Sequence, residues 1–132
     1  MAILHGEATE KRIWRLIVML DGKMRLTGNK SRAVPVLYNR DYDAEFSFCG
    51  NNNWILTSPI HGHKVHNPSI DYLLEKYVRL EHANFNRMVG NYVLYDAEGE
   101  YIEATRNYIK SNRQIFIEGF IERLEKAIER LS

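Results

Sequence analysis

The chain predicts a single α+β domain over residues 1–132: an antiparallel β-sheet built from hairpins, a middle helix, and a long C-terminal amphipathic helix packed on one face. Three observations carry this expectation. Short apolar runs punctuated by Asp21-Gly22 and by "GNNN" at 50–53 occupy the first half of the chain. A stripe at three- and four-residue steps begins at Ile70. A second such stripe runs from Phe116 to Leu131.

The elements follow in order. "KRIWRLIVMLDGKMRLTGNKS" reads as a β-hairpin about Asp21-Gly22, a pair suited to the positive φ angles of a tight turn. On that reading Trp14, Leu16, Val18 and Leu20 share one face, and Ile13, Ile17 and Met19 join Arg15 on the other, so the strand needs cover on both sides. "AVPVLY" (33–38) is a strand in which Pro35, with no N–H to give a ladder, points to an edge or a bulge. "AEFSFC" (44–49) and "WILT" (54–57) form a second hairpin through "GNNN", whose residues tolerate left-handed backbone geometry.

"PIHGHKVHNPS" (59–69) reads as a polar loop leading into a helix over 68–89, capped by Asn67, with Pro68 in its first turn and Asp71 near its positive end. Ile70, Leu73, Leu74, Tyr77, Leu80, Phe85 and Met88 make its apolar stripe, and Gly90 ends it. "NYVLYDAEGEYIE" (91–103) alternates about "DAEG" as a third hairpin. The last helix covers 105–131, and its seam of Ile117, Ile121, Leu124, Ile128 and Leu131 either packs on the chain's own sheet or pairs with its mate in a homodimer.

Composition narrows the function classes. Apolar residues are 45% and charged residues 27%, an ordinary globular balance. The single Cys49 cannot close an internal disulfide, and the longest apolar run, "IWRLIVML", is too short to span a bilayer. A cytoplasmic protein with no membrane association is expected. The net charge is +1, but residues 1–40 carry eight Lys/Arg against Glu7, Glu10 and Asp21, a net +5, and the remainder is −4. This asymmetry permits an anionic partner at the N-terminal region without requiring one.

Two groups of side chains invite chemistry. His61, His63 and His66 fall within six positions, and on an extended backbone His61 and His63 project to the same side, a spacing that suits Zn²⁺ or another divalent metal. Arg106, Lys110 and Arg113 lie at steps of four and three on the last helix beside Asn107 and Tyr108, with no acid between Glu103 and Glu118. That face suits a phosphate, a nucleotide or a nucleic-acid backbone. Neither Cys49, Ser58 nor "GNKS" at 28–31 sits in a nucleophile or phosphate-loop pattern.

The favoured expectation is a non-catalytic binding or regulatory protein without a cofactor. It would act as a homodimer and engage an anionic ligand (a nucleotide or phosphate-bearing molecule) or a partner protein. The rivals are a small metal-dependent hydrolase or phosphodiesterase using the three histidines, and a nucleic-acid-binding protein.

Overall fold

The computed structural model describes residues 9–27, 33–40, 43–59, 61–81 and 106–132; of His61 it describes the backbone alone. Helix α1 spans Glu10–Leu26, strands β1 to β4 span Val34–Asn39, Ala44–Phe48, Asn53–Ser58 and His61–His66, and helix α2 spans Ile70–Glu81. A helical segment over 106–111 precedes helix α3, Arg113–Leu131. The fold is α+β, as expected, with the C-terminal helix packed on the sheet.

The four strands form an antiparallel meander in the order β1-β2-β3-β4. In the β2–β3 hairpin Phe48 pairs with Trp54 and Phe46 with Leu56, and the connection takes positive φ at Gly50, Asn51 and Asn52. A positive φ is cheap for glycine and tolerable for asparagine, so this turn forms as its residues dictate. Strand β1 lies at one edge, and its register with β2 shifts between Pro35 and Leu37. Val36 is the extra residue of this bulge, and Pro35, opposite Ser47, keeps its place because β1 is an edge strand, where a missing N–H costs little.

The first segment departs from expectation: residues 10–26 are a helix, not a β-hairpin. Ile13, Leu16, Ile17, Leu20 and Met24 are buried at steps of three, one, three and four, which is one side of a helix. The hydroxyl of Thr9 accepts from Arg12 N–H at 3.2 Å, capping the first turn. Gly22 is accommodated inside the helix and forms no turn. Trp14, Val18 and Met19 are apolar yet exposed, and their presence imitates a two-faced strand.

Two smaller differences concern helix ends. Ser69, not Asn67, caps α2, accepting from Tyr72 N–H at 3.1 Å. Asn67 instead has φ of 53° and closes β4 onto β3, its N–H donating to the Asn52 carbonyl at 2.9 Å. The last helix is interrupted at Asn112, whose ψ of 24° breaks the regular geometry, while its amide donates to the Tyr108 carbonyl at 3.0 Å. The end of the middle helix at 82–89 and the third hairpin at 91–103 lie outside the described residues.

The core is a continuous apolar cluster shared by the three helices and the sheet. Trp54 is its centre, stacked on Phe46 at 4.8 Å, edge-on to Phe48 at 5.2 Å and 6.3 Å from Phe120 of α3. Its indole N–H donates to Asn52 Oδ1 at 2.8 Å, so burying the ring leaves no polar atom unpaired. Ile117, Ile121, Leu124 and Ile128 are buried in this same core. The seam proposed for a homodimer is therefore consumed by the chain's own packing.

Candidate functional site

The interruption at Asn112 turns the 106–111 segment toward the start of α2, and a cleft of about 160 Å³ opens between them. It is lined by Asp71, Glu75, Arg106, Ile109, Lys110 and Arg113. Asp71 and Glu75 lie one helical turn apart on α2, so both carboxylates face the basic segment.

The cleft is held by ion pairs. Arg113 reaches Asp71 with Nη1 at 2.9 Å and Glu10 of α1 with Nη2. Hydrogen bonding to Glu10, reinforced by Asp71, holds the Arg113 guanidinium charged above its ordinary range, against a smaller opposing effect of burial. Arg106 Nε lies 3.3 Å from Glu75 Oε1, and Arg79 Nη2 lies 3.6 Å from the same oxygen. Glu75 and Arg79 are buried, whereas Arg106 is largely exposed. A buried carboxylate with two guanidinium neighbours is stabilised by them, and it in turn ties the 106–111 segment to α2. Lys110 is exposed and makes no ion pair among the described residues.

Arg106, Lys110 and Arg113, singled out from their spacing, thus share one cleft. Asn107 and Tyr108 do not line it. The Asn107 carbonyl accepts from Ser111 Oγ at 3.2 Å, and the Tyr108 ring packs 5.3 Å from Phe116. The acidic half of the cleft is not legible in the sequence: Asp71 reads as a helix-dipole residue or as a carboxylate near the histidines, and Glu75 and Glu10 carry no signal that ties them to the basic segment. The Glu75/Arg79 spacing of four residues was the available signal.

The histidines lie on a strand, not in a loop. His61 pairs with Ser58, His63 with Leu56 and His66 with Asn53. His63 and His66 are three positions apart, which places them on opposite faces of β4. The His66 imidazole Nδ1 shares a hydrogen bond with Asn53 Oδ1. Among the described residues no three His, Cys, Asp or Glu side chains stand together as a metal site.

Cys49 lines two hollows, one of about 260 Å³ with Asp21, Arg25 and Asn51, the other of about 490 Å³ with Trp54, Lys64 and His66. Burial pushes its thiol above the ordinary range, with Lys64 pulling the other way. Such a thiol is a poor nucleophile near neutrality. No helix among the described residues is long and apolar enough to cross a membrane.

Comparison with known proteins finds no matching family model, no matching curated protein and no matching solved structure.

Proposed function

We propose that this chain is a non-catalytic binding or regulatory protein that takes an anionic ligand, a nucleotide or other phosphate-bearing molecule, in the cleft between the start of α2 and residues 106–113. The observation that carries the reading is the convergence of Arg106, Lys110 and Arg113 on that one cleft. Lys110 supplies a charge committed to no carboxylate among the described residues. Arg106 and Arg113 are preorganised by Glu75 and Asp71, and guanidinium groups bind phosphate oxygens through paired N–H donors.

The same carboxylates set the character of binding. A phosphate must exchange with Glu75 or Asp71 for the arginine donors, so affinity rests on Lys110 and falls with ionic strength. A nucleic-acid role has less support, because the Tyr108 ring lies against Phe116 and offers less stacking surface.

Calorimetric titration of ATP and of inorganic phosphate at low ionic strength tests the reading. ATP is expected to bind and to weaken by roughly tenfold in Lys110→Glu, the loss of one charge-assisted contact. Absence of binding at low salt, or an affinity unchanged by Lys110→Glu, would remove it.

A further inference from the structure

The cleft between α2 and residues 106–113 holds a buried acceptor that its own arginines leave without a hydrogen bond. Glu75 lines the cleft, and its side chain is only 7% exposed. Its Oε1 lies 3.3 Å from Arg106 Nε and 3.6 Å from Arg79 Nη2, near enough for both charges to act, yet it accepts no hydrogen bond among the described residues. A carboxylate oxygen taken out of water is costly to leave without a donor, so this is a place where a donor is stabilising. Asp71, the other carboxylate of the cleft, differs: it is 79% exposed and already accepts from Arg113 Nη1. Water serves the one acid and leaves the other to a ligand.

The basic side of the cleft complements this acceptor. A bare phosphate that draws Arg106 to itself takes a cation from the buried Glu75, so part of what it gains is lost. A ligand that brings an ammonium N–H to Glu75 Oε1 while its phosphate meets Lys110 and Arg106 restores the charge balance and supplies the absent hydrogen bond. The two ends of such a ligand must lie close together, because Oε1 and Arg106 Nε are 3.3 Å apart. It must also be small: the cleft of about 160 Å³ falls below the roughly 300–1,000 Å³ of pockets that enclose drug-sized molecules. Ile109, only 4% exposed, gives the cleft an apolar wall for a short spacer.

We infer that the cleft selects a small phosphate monoester carrying a primary ammonium on a two-carbon spacer. Glu75 accepts from the ammonium, Lys110 and Arg106 meet the phosphate, and Ile109 packs on the spacer. The inference rests on the phosphate reading of this cleft and narrows it to one chemical class. Glu75 is then the residue that sets specificity, since it rewards a ligand only for the N–H donors that the ligand presents. A trimethylated ammonium carries the charge but no donor, and gains little there.

Calorimetric titration of the intact protein at low ionic strength compares three esters: phosphoethanolamine, propyl phosphate, in which a methyl group replaces the ammonium, and phosphocholine, whose nitrogen has no N–H. Phosphoethanolamine is expected to bind roughly tenfold or more tightly than either of the others, the worth of one charge-assisted hydrogen bond. Glu75→Gln, with its fold checked by circular dichroism, should erase that preference and still bind propyl phosphate. If this variant unfolds, the three esters on the wild type decide alone. Equal binding of phosphoethanolamine and propyl phosphate overturns the inference and leaves the phosphate reading standing, whereas no binding of any ester or of ATP sinks both. Equal binding of phosphoethanolamine and phosphocholine, or a preference that survives in Glu75→Gln, also overturns it. So does cosedimentation with phosphatidylethanolamine vesicles without affinity for the free ester, which would make a membrane headgroup the source of the phosphate.

Discussion

Helices α1 and α3 pack against each other and against the same core, yet their outer faces are opposites. On α3 the solvent side carries Glu118, Glu122, Glu125, Lys126, Glu129 and Arg130. On α1 it carries Trp14, Val18 and Met19 among Lys11 and Arg15. Both helices satisfy the same requirement inward, a stripe at helical spacing, and they differ only in what solvent meets. The inward face decides whether each helix forms; the outward face decides what else it touches.

The sharpest way to check that the inward faces are equivalent is to cut one side chain from each. Phe120→Ala in α3 removes a ring buried against Trp54 and Tyr77 and should cost about 3–5 kcal/mol. Leu20→Ala in α1 should cost about 2–5 kcal/mol, since Leu20 is wholly buried. Urea unfolding of both variants measures this. A Leu20→Ala cost well under 1 kcal/mol would show that α1 is only loosely attached, and the comparison would collapse.

This contrast also explains how far the fold could be read from residues. The α3 stripe was legible because charged residues fill its opposite side and leave a single period. The edge position of β1, with its bulge beside Pro35, and the β2–β3 turn at 50–53 were legible because proline and the Gly-Asn run impose local geometry whatever surrounds them. Helix α1 was not legible: Trp14, Val18 and Met19 fill the outer side with apolar residues, and the alternation of a covered strand is then satisfied as well as a helical stripe. Thr9 three residues before Arg12 was the capping signal that pointed to a helix. Half of the candidate cleft was legible, since Arg106, Lys110 and Arg113 share a helical face by spacing alone. The other half was not, because Asp71, Glu75 and Glu10 reach the cleft through tertiary packing that no local pattern encodes.

The two described helix-interior glycines of α1 and α3 sharpen the comparison further, because the same substitution should change sign between them. A Cβ at Gly119 of α3 would lie 2.0 Å from the Tyr77 hydroxyl and 2.6 Å from Cζ, so the ring must move out of its packing against Phe116 and Phe120. Gly119→Ala should destabilise by about 1–3 kcal/mol, the usual cost of overpacking. Gly22→Ala on α1 meets no neighbour and gains helix propensity, so it should stabilise by about 0.5–1 kcal/mol. Thermal unfolding of the pair decides it, and equal signs would mean that the space around one glycine is not as described.

The smallest expected effect concerns the ion pairs on the two flanks of α3. Arg12 to Glu125, at 3.0 Å, joins it to α1 with both partners well exposed. Arg123 to Glu81, at 2.9 Å, joins it to α2 with the carboxylate mostly buried. Burial raises the Glu81 carboxyl above its ordinary value, and Arg123, by charge and by hydrogen bond, offsets this only in part. A carboxyl whose folded pKa is raised holds its proton more tightly in the folded state than in the unfolded one. Its contribution to stability is therefore complete below the unfolded pKa and is lost as pH rises through the folded pKa. Chemical unfolding of wild type and Glu81→Gln across the carboxylate range should show the wild type losing stability relative to the variant as pH rises. If Glu81→Gln ran parallel to wild type, burial would not set the Glu81 carboxyl on this flank of α3.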